Sequence, residues 1–96
     1  MVTFGQIQDK MLAVISGDGL TIETAVLFEP STLAERIKAE CEFIEQQYGR
    51  EHSDWHRGIH FTQIGPNGLY SHWKIAVRDG GTRDIYFDTS STTDYE

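Results

Sequence analysis

The 96-residue sequence contains one cysteine, two prolines and only eight lysine and arginine residues. A single cysteine cannot form a disulfide within the chain, which is typical of proteins from a reducing compartment. No window approaches the roughly 18 consecutive apolar residues of a membrane span. The first ten residues lack the basic region and apolar run of a signal peptide. These absences predict a cytoplasmic protein without a membrane partner.

Positive charge is also scarce, because 15 acidic residues oppose the eight basic ones and give a net charge of −7 with neutral histidines. Phosphate backbones and acidic membrane surfaces repel such a chain. The charge therefore predicts no direct contact with nucleic acid, and it favours a basic protein partner.

The remaining composition is that of one folded domain. A hydrophobic fraction of 39% excludes a disordered chain. The length allows a single two-layer core. We expect one domain over residues 1–89 and a frayed C-terminal tail over residues 90–96.

Helical spacing of apolar residues predicts an N-terminal helix that ends at Gly17. β-Branched residues over 20–28 predict a strand. The clearest element is a helix over 32–48, in which Thr32 and Glu35 form a capping-box pattern. Its predicted core stripe is Leu33, Ile37, Cys41, Ile44 and Tyr48.

The C-terminal half predicts three strands, Trp55–Ile64, Leu69–Asp79 and Arg83–Thr89, joined by turns at "GPNG" and "GG". The predicted fold is α+β, a two-layer sandwich with a four-stranded, mainly antiparallel sheet. Its order is α-β-α-β-β-β, with helix 32–48 on one face and the N-terminal helix beside it. The long helix suggests a right-handed parallel crossover from the first strand, whose neighbour in the sheet remains open.

Alternation of apolar residues selects one strand register. It pairs Phe61 with Trp73 and Ile59 with Ile75 across a five-residue connection, 65–69. The next pair of strands then places Ile75 opposite Phe87, and Val77 opposite Ile85. The uncovered face would carry three rows: His60, Lys74 and Asp88; Gly58, Ala76 and Tyr86; His56, Arg78 and Asp84.

Three histidines, His52, His56 and His60, recur every four residues. In a strand, such neighbours lie about 13 Å apart, whereas zinc requires nitrogens at about 2.0–2.1 Å. We therefore predict no metal site at His56 and His60, and no cofactor. His60 and His72 are expected as diagonal neighbours.

No nucleophile elbow, phosphate loop or zincin helix is present, so a non-enzymatic role is favoured. The predicted function is a small acidic protein-binding module, an inhibitor or accessory factor of a basic or nucleic-acid-handling protein. Its partner would be a protein, a second copy of itself included. The predicted binding residues on the uncovered face are His56, His60, Tyr70, His72, Lys74, Arg78 and Tyr86.

Two alternatives use the same histidines. The first is a small hydrolase or ribonuclease-like enzyme, with His56 and His60 as acid and base and with Lys74 and Arg78 holding phosphate. The second is a pH- or metal-responsive protein that uses His60 and His72.

Overall fold

A computed structural model describes residues 12–92 as one helix on a five-stranded sheet. In chain order the elements are β1 (Val14–Ser16), β2 (Val26–Phe28), α1 (Leu33–Tyr48), β3 (Trp55–Gly65), β4 (Gly68–Val77) and β5 (Thr82–Asp88). The sheet order is β1-β2-β5-β4-β3, in which only the β2–β5 pair is parallel. The predicted α+β class is confirmed, but the sheet is mixed and has five strands instead of four.

The N-terminal part differs most from the prediction. Helical spacing predicts a helix over Val14–Ser16, but this segment is a strand that pairs with β2. The rest of the predicted helix, residues 1–11, lies outside the described residues. The strand predicted over 20–28 forms only at β2, because Thr21 and Thr24 hydrogen-bond each other and close a turn before it. β2 pairs in parallel with β5, not with β3.

The helix prediction is confirmed at its N-terminal cap. Thr32 Oγ1 accepts from the Glu35 backbone N–H at 3.1 Å, and Glu35 Oε1 accepts from the Thr32 backbone N–H at 3.0 Å. These reciprocal bonds satisfy two donors that a helix leaves unpaired at its start. Gly49, with φ of 103°, ends the helix in a conformation that glycine tolerates best.

The buried side of α1 differs from the predicted stripe. Ala39, Glu40 and Ile44 are buried, whereas Leu33 and Ile37 are each 46% exposed. Relative to the prediction, the helix is rotated about its axis so that the Glu40 carboxylate faces the sheet. The core cluster consists of Val26, Phe28, Ala39, Ile44, Trp55, Trp73, Ile75, Ile85 and Phe87.

The predicted register of β3 against β4 is wrong, because Gly65 pairs with Gly68 across a loop of only two residues, Pro66 and Asn67. His60 consequently lies opposite Trp73, and Phe61 lies opposite His72. The offset is one residue, and in a strand this moves each side chain to the other face.

A β-bulge at Gly58 confines this reversal to part of the strand. The register shifts between Arg57 and Ile59, so Trp55 still points into the core while Ile59 and Phe61 do not. A side chain at Gly58 would not fit, since its Cβ would lie 2.7 Å from the Lys74 backbone oxygen.

The register of β4 against β5 also differs, although the faces are kept. Ile75 pairs with Arg83 instead of Phe87, and Trp73 pairs with Ile85. Lys74 therefore lies opposite Asp84, and Tyr86 lies beside His72 instead of Gly58 and Ala76. The offset is four residues, an even number, so it preserves which side chains share a face.

The two faces of the sheet differ in what covers them. The α1 face carries the core and contacts the helix. The outer face is the opposite side, and it carries Ile59, Phe61, Gln63, Tyr70, His72, Lys74, Asp84, Tyr86 and Asp88.

The predicted C-terminal tail is described only as far as Thr92. Thr92 forms an isolated bridge with Ser31, and its side chain accepts from Arg36 Nη1 at 2.8 Å. This segment is thus joined to the start of α1, and residues 93–96 lie outside the described residues.

Candidate functional site: polar and aromatic clusters on the two sheet faces

A row of three stacked rings crosses the outer face. The imidazole of His72 lies between Phe61, at a centroid distance of 4.6 Å, and Tyr86, at 4.3 Å. Its Nε2–H group donates to Asp84 Oδ1 at 2.9 Å, and its Nδ1 lies 2.6 Å from Gln63 Oε1. His72 is buried, with Asp84 bonded at Nε2 and the Gln63 amide in contact at Nδ1, so it supports the two flanking rings.

Asp84 joins this row to the charged part of the face. Its carboxylate accepts from His72 and lies 3.2 Å from Lys74 Nζ. Partial burial would raise the pKa of Asp84, but the hydrogen bonds from His72 and Lys74 outweigh it and hold the pKa below its ordinary value of 3.8. Asp84 is therefore a carboxylate at neutral pH and neutralises Lys74.

A second cluster lies on the α1 face around Glu40, whose side chain is fully buried. Glu40 Oε1 accepts from Ser71 Oγ and from Trp73 Nε1, each at 2.9 Å. Arg36, one turn earlier on α1, places Nε 3.0 Å from Glu40 Oε2. A buried carboxylate needs such partners to offset its lost hydration.

His60 extends this cluster to the surface. Ser71 donates its only hydroxyl hydrogen to Glu40, so the His60 Nε2–H group donates to Ser71 Oγ at 2.6 Å. The His60 ring also stacks on Trp73 at 4.2 Å, and the Arg57 guanidinium lies 4.5 Å above the same indole. His60 therefore contacts the core residue that the predicted register kept away from it.

Serine, histidine and glutamate meet here, yet their arrangement does not activate a nucleophile. In a catalytic triad the carboxylate binds the imidazole Nδ1, and Nε2 accepts the serine proton. Here Glu40 binds the serine itself, and Ser71 is buried at 3% exposure. The cluster secures α1 to β4 and leaves no hydroxyl accessible to a substrate.

The predicted binding residues do not all share one face. Tyr70, His72, Lys74 and Tyr86 lie on the outer face, as does His56 before the bulge, whereas His60 lies on the α1 face. His56 instead lies beside His52, at a ring distance of 5.8 Å. The acid–base pair that the hydrolase alternative requires is therefore separated by the sheet, and His60 and His72 are separated in the same way.

Tyr70 and Arg78 are also placed differently from the expectation. Tyr70 is buried, and its hydroxyl accepts from the Asn67 backbone N–H at 3.1 Å. Arg78 follows the end of β4, and its Nη1 lies 3.4 Å from Asp54 Oδ1. Tyr70 is therefore not available to a partner, whereas the Arg78 side chain is 78% exposed beyond the end of β4.

Arg78 borders an open depression of about 270 Å³ lined by Tyr48, Asp54, Val77, Arg78, Asp79 and Arg83. Its two arginines lie close to carboxylates, at 3.4 Å for Arg78 and Asp54 and at 3.7 Å for Arg83 and Asp79. The charges balance, so the depression has no net attraction for phosphate.

The remaining reactive groups do not form a site. Within residues 12–92, no group of three histidine, cysteine or acidic side chains is placed to hold a metal ion. Cys41 is half-buried on α1, and burial, assisted by the charge of Glu45, raises the pKa of its thiol. A raised thiol pKa disfavours the reactive thiolate.

Four residues of these clusters were absent from the sequence-based prediction: Glu40, Phe61 as a surface residue, Gln63 and Ser71. For Phe61, Gln63 and Ser71, the two-residue turn is the sequence signal that indicates their positions. "GPNG" places Pro66 and Asn67 between two glycines, and a two-residue hairpin loop sets the observed register directly. No sequence signal marks Glu40, since its helical position also suits a solvent-exposed acid.

No protein-family model, no curated protein and no solved structure matches this chain. Within the described residues, no helix combines the length and apolar character needed to cross a membrane.

Proposed function

We propose that this chain is a protein-binding module that acts through the outer face of its sheet. The observation that carries the proposal is the stacked row of Phe61, His72 and Tyr86. Phe61 and its neighbour Ile59 are 41% and 53% exposed beside that row. A sheet face that only met water would not need large apolar side chains next to a supported aromatic row.

The row has the properties of a binding anchor. Aromatic residues are enriched among the few side chains that dominate protein interfaces. His72 already holds both flanking rings, so a partner would need to immobilise little on binding. The pairing of Lys74 with Asp84 leaves the middle of the face without net charge, which favours an uncharged contact there.

The charge of the chain suggests the class of partner. A net charge of −7 opposes nucleic acid and favours a basic protein. An accessory or inhibitory role towards a basic, nucleic-acid-handling protein in the cytoplasm is consistent with this charge. The enzymatic alternative receives no support, because the histidines that it needs lie on opposite faces.

The test uses Tyr86, because its removal truncates the row at its inner end. The Tyr86→Ala variant should remain folded, with its free energy of unfolding lowered by about 1 kcal/mol. It should weaken binding to a partner by about 2 kcal/mol or more, roughly thirtyfold. Proteins captured on the immobilised wild-type chain are identified and purified, and their dissociation constants are measured against each variant.

Tyr48→Ala is the matched control, since Tyr48 is half-buried on α1, on the other side of the sheet. It should cost stability without changing the dissociation constant. If no purified partner distinguishes Tyr86→Ala from wild type, while Tyr86→Ala remains folded, the outer face is not the binding surface.

A further inference from the structure

β3 lies at one end of the sheet, and among the described strands only β4 pairs with it. It is also the longest strand, with 11 residues, whereas β1 at the opposite end has three. An unpaired edge presents backbone N–H and C=O groups that another strand can bind. The two edges of this sheet therefore differ in how much backbone they offer.

Proteins usually protect such edges with lysines, prolines or inward-pointing charges. β3 contains no lysine, proline or acidic residue, and Arg57 is its one permanent charge. The bulge at Gly58 interrupts the strand only near its start, so Ile59–Gly65 forms a regular stretch that pairs residue by residue with β4. This stretch is suitable for pairing with another strand.

Exposed apolar side chains border the same edge on both faces. Ile59 and Phe61 lie on the outer face, at 53% and 41% exposure. Ile64 is 80% exposed on the α1 face, next to its cross-strand neighbour Leu69 at 54%. A strand added to β3 would cover apolar surface on both sides, while its backbone groups paired.

We propose that the occupant of this edge is β3 of a second copy, paired antiparallel about a two-fold axis at Phe61. The inference rests on the proposed protein-binding function and names one partner for it. Two five-stranded sheets would join into one continuous sheet. Each Phe61 would face its equivalent, and the three-ring rows of the two copies would meet across the interface.

Charge does not oppose a second copy at this edge. Two chains of charge −7 repel each other, yet β3 carries none of the 15 acidic residues, so the copies would meet at a locally non-acidic surface. In this register Ile59 faces Gln63 of the other copy, and His60 faces Thr62. The two Arg57 side chains are eight residues apart, about 27 Å, so no row opposes like charges.

The test exploits the two-fold axis, because residue 61 would face itself. Wild type should sediment as a concentration-dependent dimer. Phe61→Lys and Phe61→Glu should each weaken self-association by more than about tenfold, since each brings like charges together. An equimolar mixture of the two variants should recover the dimer as a Lys–Glu heterodimer.

Ile15→Lys is the matched control, because Ile15 is 58% exposed on β1 at the opposite edge of the sheet. It should leave the dimer unchanged. If Phe61→Lys unfolds, Ile64→Lys on the α1 side of the same edge replaces it. Residue 64 faces Gly58 of the other copy, so Ile64→Lys should weaken self-association by removing apolar cover at the edge and not by bringing like charges together.

Three results would overturn the inference: a wild type that stays monomeric at all concentrations, a dimer that Phe61→Lys leaves intact, or variants whose mixture stays monomeric. Different results would refute the proposed function and the self-association. If wild type is monomeric but binds another protein in a Tyr86-dependent manner, the self-association is refuted and the proposed binding function is retained. If Phe61→Lys weakens the dimer but Tyr86→Ala does not, and no other partner depends on Tyr86, the proposed role of the outer face as a binding surface is refuted.

Discussion

The buried carboxylate of Glu40 gives the sharpest test of how this fold is held together. Glu40→Ala removes the acceptor for the Ser71 hydroxyl and for the Trp73 indole N–H, and it removes the counter-charge of Arg36. Each group lies between α1 and the sheet, where water does not replace the lost partner easily. We expect this variant to be among the most destabilising single substitutions in the domain.

The magnitude follows from the number of partners. A buried donor left unpaired costs about 1–3 kcal/mol. Breaking a buried ion pair by removing one partner costs about 3–5 kcal/mol. These costs overlap, because Ser71 keeps its hydrogen bond from His60 and Arg36 retains its bond to Thr92. We therefore expect a loss of about 3–5 kcal/mol, a large part of the 5–15 kcal/mol typical of a domain.

The assay is equilibrium unfolding in urea, followed by the fluorescence of the two buried tryptophans, Trp55 and Trp73. With an m value of about 1.5 kcal/mol/M, a loss of about 3 kcal/mol lowers the midpoint by about 2 M. Glu45→Ala is the control on the exposed side of α1 and should change stability by no more than about 0.5 kcal/mol.

Replacing the Arg36–Glu40 ion pair with apolar side chains separates the cost of an uncompensated charge from the contribution of packing. If the helix were held mainly by apolar packing, Glu40→Ala would lose less than about 1 kcal/mol, and the reasoning from unpaired partners would be refuted. A combined Arg36→Met and Glu40→Met variant should recover part of the loss of Glu40→Ala. The recovered stability would come from removing the Arg36 charge, which Glu40→Ala leaves without a counter-charge.

Two further predictions concern the outer face and the bulge. The lowered pKa of Asp84 means that its ionised form stabilises the fold above the ordinary value of 3.8, and that this contribution is lost as the pH falls through the lower folded value. The stability advantage of wild type over Asp84→Asn in urea unfolding should therefore be larger at pH 5 than at pH 2; an advantage that stays constant or grows towards pH 2 would contradict the assignment. Gly58→Ala should cost about 1–3 kcal/mol, because its Cβ would press on the Lys74 backbone oxygen. Gly81→Ala meets the flexible end of Arg83 at 3.0 Å and Asp79 Oδ1 at 3.6 Å, an ordinary contact, and should be nearly neutral. Equal midpoints for the two variants would show that the bulge is not needed.

Local interactions made much of the fold predictable from the sequence. The Thr32–Glu35 capping box spans four residues, and the helix begins where the pattern predicts. The three C-terminal strands are likewise recognisable from β-forming residues bounded by glycine-containing turns. Capping and turn formation depend on side chains that are close along the chain, so their signals survive without tertiary information.

The candidate site was less predictable, because it depends on register. A shorter loop at Pro66 and Asn67, together with the bulge at Gly58, moves His60 to the α1 face and Phe61 to the outer face. Apolar alternation selected the wrong register, because it assigned Ile59 and Phe61 to the core, whereas both are exposed on the outer face. The difference lies in a contact of His60 with Trp73 and Ser71, which only the folded chain brings together.

The sequence by itself determined the α+β class, the capped helix, the three C-terminal strands and an acidic chain of charge −7, because composition and short-range patterns are sufficient for these. Only the tertiary structure decided that β2 lies parallel to β5, that Glu40 faces the sheet, and that Phe61, His72 and Tyr86 form one row. These features join residues that are distant in sequence. Which of them meet is set by the packing of the whole domain. There, a one-residue change of register moves the side chains of a strand to the other face, and three partners can make a buried carboxylate stable.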